Sequence, residues 1–183
     1  MKASGNAVLR PARGFSLIEV LVTILILTVG LLGLAGLQSR ALTSQMEAYQ
    51  RSQALILLKD MADRINANRS DAASYVTTLG TGAVCPAAGL TVASVDLNEW
   101  CEALMGAAEV QSGANIGAMI GARGCIYQTV APAAGVPGEY LVAVAWQGFN
   151  STAIPAIDCG EDQYGDETKR RVVALPLTIA DLN

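Results

Sequence analysis

Residues 13–37 read Arg13-Gly14-Phe15-Ser16-Leu17-Ile18-Glu19 and then VLVTILILTVGLLGLAGL, ending at Leu37. From Phe15 to Leu37 there is one charge, Glu19, in 23 residues. About 20 apolar residues suffice for a helix to cross a bilayer. At about 1.5 Å per residue this run would rise roughly 34 Å. Residues 1–14, MKASGNAVLRPARG, carry Lys2, Arg10 and Arg13 and no acid. By the positive-inside tendency that leaves the N-terminus cytoplasmic.

Outside the apolar run the chain reads as an ordinary domain. Apolar residues make up 52% and charged residues 15%, which excludes a disordered polar tail. The 12 basic and 16 acidic residues give a formal charge of −4. An acidic chain without a basic patch is a poor nucleic-acid binder, so no nucleic-acid partner is expected. There is no histidine, which excludes Ser-His-Asp and Cys-His catalysis and every metal site needing imidazole. Neither a phosphate-binding G-x-x-x-x-G-K-[ST] loop nor a strand-linked G-x-G-x-x-G is present. No enzyme activity, cofactor or metal is expected.

Glu19 is the unusual residue. A carboxylate in the bilayer costs about 2.5–3.5 kcal/mol at the centre and less near the interface, so such a residue is a functional hypothesis by default. A secretory signal peptide would have a shorter apolar region, about 7–15 residues, and a small-x-small cleavage site. This run is too long for that, although Gly33-x-Ala35 could serve weakly as such a site. A plain uncleaved anchor is the other alternative. A third reading gives Glu19 a partner. Cutting between Gly14 and Phe15 would free an amino group on Phe15. A neighbouring chain's amine could then neutralise Glu19 as apolar helices pack, because buried charge is tolerated when paired.

The basic leader ending in Gly14, followed by Phe15, Ser16, Leu17, Ile18 and Glu19, resembles the type IV prepilin motif. The resemblance implies cleavage after Gly14 by prepilin peptidase, methylation of Phe15, and an assembly role for Glu19. The continuation Glu19-Val20-Leu21-Val22, with Val29 to Gln38, is similar to the PilV family of minor pilins. That similarity implies a protein of the minor-pilin complex that primes pilus assembly. Its partners would be other minor pilins, the major pilin and a pilus-tip adhesin, and its outputs twitching motility and adhesion. The chain would span the inner membrane once, head in the periplasm, before joining a surface fibre. A minor pseudopilin of a type II secretion system, with the same leader and helix, is the alternative. Gly30, Gly33 and Gly36 form a stripe that permits close helix packing, or reflect the ordinary tolerance of glycine in apolar spans.

The expected fold is α+β, a long N-terminal helix packed on an antiparallel sheet. It divides into a leader (1–14), a membrane or filament-core helix (15–37), an amphipathic continuation (38–69) and a globular head (70–183). Leu42, Met46 and Tyr49 recur at helical spacing, as do Leu55, Leu58, Met61, Ala62 and Ile65. A helix from Phe15 to about Asn68 would be roughly 80 Å long. The polar cluster from Asn66 to Asp71 reads as its stop.

Residues 70–124 read as loop with one short helix, for which Asp96 and Glu99 resemble a capping pair before Trp100. Gly113, Gly117, Gly121 and Gly124 fall in an expected flexible stretch. Three strands are expected: Cys125–Val130, Glu139–Trp146 and Arg170–Ile179. Pro176 weakens the end of the third or places it on an edge. The four cysteines, Cys85, Cys101, Cys125 and Cys159, suggest two disulfides in an exported domain, with three possible connectivities. The shorter loops favour Cys85–Cys101 with Cys125–Cys159. Metal ligation by four thiols is the rival, but no C-x-x-C pair exists. The acidic segment Asp158 to Lys169 lacks EF-hand spacing and reads as a solvated loop.

Overall fold

The computed structural model describes residues 14–81, 84–106, 110–111, 114–115 and 119–180. The chain divides into two compact units, up to Leu42 and from Thr43 onward. Helix α1, Leu17–Ala67, contributes to both. Its apolar first part suits a membrane by composition, with a best mean hydropathy of 2.6.

In the first unit every described side chain is exposed, Phe15 at 84% and Leu25 at 62% among them. This is the opposite of a soluble core helix, whose apolar stripe is buried. Thr23 and Thr28 spend their hydroxyls on the helix's own carbonyls, at Val20 and Leu25, both at 2.8 Å. The apolar part of the helix, Leu17 to Leu37, thus carries no unsatisfied hydroxyl. A Cβ at Gly30, Gly33 or Gly36 would meet nothing within 4 Å. Nothing described in the chain itself therefore requires glycine there.

In the second unit α1 buries Gln50, Ala54, Leu58, Met61, Ala62 and Ile65. These positions recur every three or four residues, which places them on one face. The helix ends at Ala67, within the polar cluster read as its stop, and a short 3-10 helix follows over Arg69–Tyr75. Strand β1 is Thr77–Gly80 and helix α2 is Val92–Leu104. Two-residue strands β2 (Val110–Gln111) and β3 (Ala114–Asn115) pair with each other. Strands β4 (Ile120–Val130), β5 (Gly138–Gln147) and β6 (Arg170–Ile179) follow. The main sheet is antiparallel, ordered β1-β4-β5-β6. The long helix on an antiparallel sheet is the expected α+β architecture.

Four details differ from the sequence expectations. The sheet has four strands, because β1 lies inside the segment read as loop. It is four residues long and ends in glycine, too short to show an alternating pattern. β4 starts at Ile120, so Gly121 and Gly124 are strand residues and not a flexible stretch; Gly113 and Gly117 lie outside the described residues. The N-cap of α2 is Thr91, whose Oγ1 accepts from the Ser94 amide at 3.2 Å. Asp96 and Glu99 sit within the helix and serve another purpose. Finally, Asp158, Glu161, Asp162 and Asp166 of the acidic segment are exposed as read, but Glu167 is half-buried and pairs with a buried arginine. Pro176 does lie in the edge strand β6.

β5 is covered on both faces. Tyr140, Val142, Val144 and Trp146 join the core under α1 and α2. Ala143 and Ala145 face a second cluster with Cys125 and Cys159. The period-two alternation of a strand sends neighbours to opposite faces, so one strand serves both cores.

Candidate functional site

The N-terminal segment begins with Gly14, Phe15 and Ser16 outside the helix. The Ser16 carbonyl accepts from the amides of Glu19 (3.1 Å) and Val20 (3.3 Å), starting the helical ladder. Glu19 thus falls in the first helical turn. A carboxylate is favoured there by the positive end of the helix dipole. Gly14 and Phe15 are exposed and precede the helix. The Glu19 carboxylate makes no hydrogen bond or ion pair among the described residues. Leader residues 1–13 lie outside the described residues.

Polar side chains of the head hold elements together. Cys85 is joined to Cys101, tying the loop before α2 to that helix, and Cys125 to Cys159, tying the β5–β6 connection to β4. Arg64 on α1 donates to Asp60 (2.9 Å), Asp96 (2.8 Å) and Glu99 (2.7 Å), clasping α2. Burial opposes its charge, but the three carboxylates outweigh that and push its pKa up. Tyr75 completes the clasp by donating to Asp96 at 2.5 Å. Its phenol is pushed up to about 12, first by burial and then by that bond.

Trp100 donates its indole N–H to the Leu57 carbonyl at 2.9 Å. Its ring occupies the space where a side chain on Gly124 would sit. Arg170 is 1% exposed. It pairs with Glu167 and donates to the carbonyls of Ile157, Cys159 and Pro155, so the buried charge is bonded on all sides. Glu47 on α1 accepts from the amides of Phe149 (3.1 Å) and Asn150 (3.0 Å), and Arg171 lies 3.4 Å away. The Asn150 amide is the main cause of its lowered pKa, with desolvation opposing.

Arg64, Arg170, Glu47 and the Trp100–Gly124 pair were not singled out by sequence. Each acts through a partner distant in the chain, which no local pattern encodes. Among the described residues, no group of three or more His, Cys, Asp or Glu side chains gathers as a metal would need.

Residues 9–35 match the prokaryotic N-terminal methylation motif. Residues 36–102 match the family described as Type IV pilin Tt1218. Together these matches support a type IV pilin. No curated protein and no solved structure matches. The methylation motif contains the Gly14–Phe15 bond and Glu19, and the pilin match covers the second part of α1 through most of α2. A pilin with a prepilin leader implies processing by prepilin peptidase and assembly with other pilins. The apolar helix and motif are consistent with membrane anchoring and a pilus fibre. A pilin is a structural protein.

Proposed function

We propose that this chain is a minor pilin of the PilV type. It joins the minor-pilin complex that primes pilus assembly, sits at the pilus tip with other minor pilins and an adhesin, and supports twitching motility and adhesion. The observation that carries this reading is Glu19, without a partner among the described residues, at the start of an exposed apolar helix and five residues after Gly14. In this reading residues 1–14 are the leader, removed by prepilin peptidase, and Phe15 becomes the methylated first residue. Residues 15–37 span the inner membrane with the leader cytoplasmic and the head periplasmic. Residues 38–69 extend the helix to the head at 70–183.

Extraction into a filament moves the apolar helix from lipid to a protein core. There a carboxylate needs a counter-charge, because an unpaired buried charge is strongly destabilising. The new amine of a neighbouring Phe15 supplies it. The similarity of Gly30 to Gln38 to PilV supports the minor-pilin role.

The test compares the N-terminal peptide in membranes and in sheared filaments by mass spectrometry. A methylated Phe15 terminus in filaments, far below the major pilin in amount, is expected. An intact Met1-to-Phe15 peptide, or a cut near Ala35, would overturn the reading. So would normal pilus assembly by Glu19→Ala as regards the role of that carboxylate.

A further inference from the structure

On the sheet face turned away from α1, the β5–β6 connection lies against β4 and β1. Cys159 bonds to Cys125, and the Tyr164 hydroxyl donates to the Gly121 carbonyl at 2.9 Å. Between connection and sheet is a cavity of about 260 Å³ lined by Thr78, Arg123, Tyr127, Asp158, Glu161 and Gln163. None of these residues takes part in the N-terminal site.

The pocket is open to solvent: Thr78, Asp158, Glu161 and Gln163 are exposed, and Arg123 and Tyr127 are half-buried. Arg170 fixes the carbonyls at 155, 157 and 159, directly beside Asp158. A backbone fixed in advance lowers part of the ordering cost of binding. Yet the carboxylates of Asp158 and Glu161 make no hydrogen bond or ion pair among the described residues. Both act on the Tyr127 phenol, whose pKa is raised by burial first and then by Asp158, with Arg170 opposing and Glu161 adding least.

The lining chemistry selects among ligand classes. A simple cation would face the Arg123 guanidinium. A simple anion would face two carboxylates. An apolar molecule would strip water from all of them with no bond in return. A neutral polyol avoids these conflicts, since each hydroxyl can donate and accept. It can donate to Asp158 and Glu161 and accept from Arg123 and Gln163. Tyr127 supplies an aromatic surface for C–H groups. The volume is below the roughly 300–1,000 Å³ of drug-sized sites, which leaves room for a single ring.

We propose that this cavity binds one unit of a neutral saccharide. The proposal is independent of the pilus role and stands or falls without it.

The test uses the full chain, disulfides intact, in a zwitterionic detergent free of sugar. Saturation-transfer NMR is recorded with the methyl glycosides of glucose, galactose, mannose and N-acetylglucosamine, and with methylammonium and inorganic phosphate. Transfer to the ring C–H protons of at least one glycoside is expected. Asp158→Asn with Glu161→Gln should weaken that binding at least tenfold, with the melting temperature retained. Should this double variant fail to fold, Gln163→Ala decides, with several-fold weaker binding expected. No transfer to any glycoside, transfer to methylammonium or phosphate alone, or binding unchanged in the deciding variant would overturn the proposal.

Discussion

Replacing Gly124 by alanine tests how the head is packed. Gly124 lies mid-strand, paired with Leu79 on β1 and Val144 on β5, so its backbone is held from both sides. An added methyl would sit 2.2 and 2.4 Å from two carbons of the Trp100 ring and 2.7 Å from a Leu104 methyl. These contacts are far inside van der Waals distance, so the indole must move. Overpacking of this kind costs about 1–3 kcal/mol. Moving the ring also breaks its hydrogen bond to the Leu57 carbonyl, worth about 1 kcal/mol and more if the carbonyl stays buried. Against this, alanine in place of glycine returns roughly 0.5–1 kcal/mol of backbone entropy. The net cost is about 1–3.5 kcal/mol, and at about 2–4 °C per kcal/mol for a chain of this size the melting point falls by roughly 2–14 °C. The assay is urea unfolding of the full chain in detergent, followed by circular dichroism. The double variant with Trp100→Phe removes part of the colliding ring, so Gly124→Ala should cost at least about 1 kcal/mol less in that background. A cost below about 0.5 kcal/mol, or strict additivity of the two changes, would refute the packing described.

Three further outcomes are expected. Loss of Cys125–Cys159, which closes a 34-residue separation, should cost about 4 kcal/mol, and loss of Cys85–Cys101, separated by 16, about 3 kcal/mol, on the chain-entropy account; paired serine variants in reductant-free urea titrations would show the order, and a reversed order would count against it. Arg170→Leu leaves Glu167 and three carbonyls without their donor and should cost about 3–5 kcal/mol, with faster protease cleavage within residues 155–167 as the local readout. The Glu47 carboxyl has a depressed folded-state pKa, so its contribution is complete above the ordinary glutamate value and is lost as pH falls through the folded value; Glu47→Gln should flatten the acid limb of a stability–pH curve below about pH 4.5 and leave the neutral region's slope unchanged.

The sequence by itself determined the long helix, the α+β class and the N-terminal segment. These depend on local or strictly periodic features. An uninterrupted apolar run, the helical spacing of Leu58, Met61, Ala62 and Ile65 and an adjacent Gly-Phe-Ser-Leu-Ile-Glu need no knowledge of distant residues, whereas Leu42, Met46, Tyr49 and Leu55, read at the same spacing, are exposed. β5 and β6 were legible for the same reason, as long alternating or β-branched runs. Tertiary structure alone decided the rest. β1 exists because β4 offers it an edge, since Thr-Thr-Leu-Gly has little strand signal of its own. Gly124 belongs to a strand because β1 and β5 pair with it, and it is glycine because Trp100, 24 residues earlier, fills its side-chain space. Asp96 and Glu99 have the spacing of a cap, but Thr91 takes that place and Arg64 from α1 claims their carboxylates. Arg170 can be buried only because Glu167 and three carbonyls converge on it. Such outcomes are energies of encounter between parts remote in the chain, and a pattern read along one segment does not contain them.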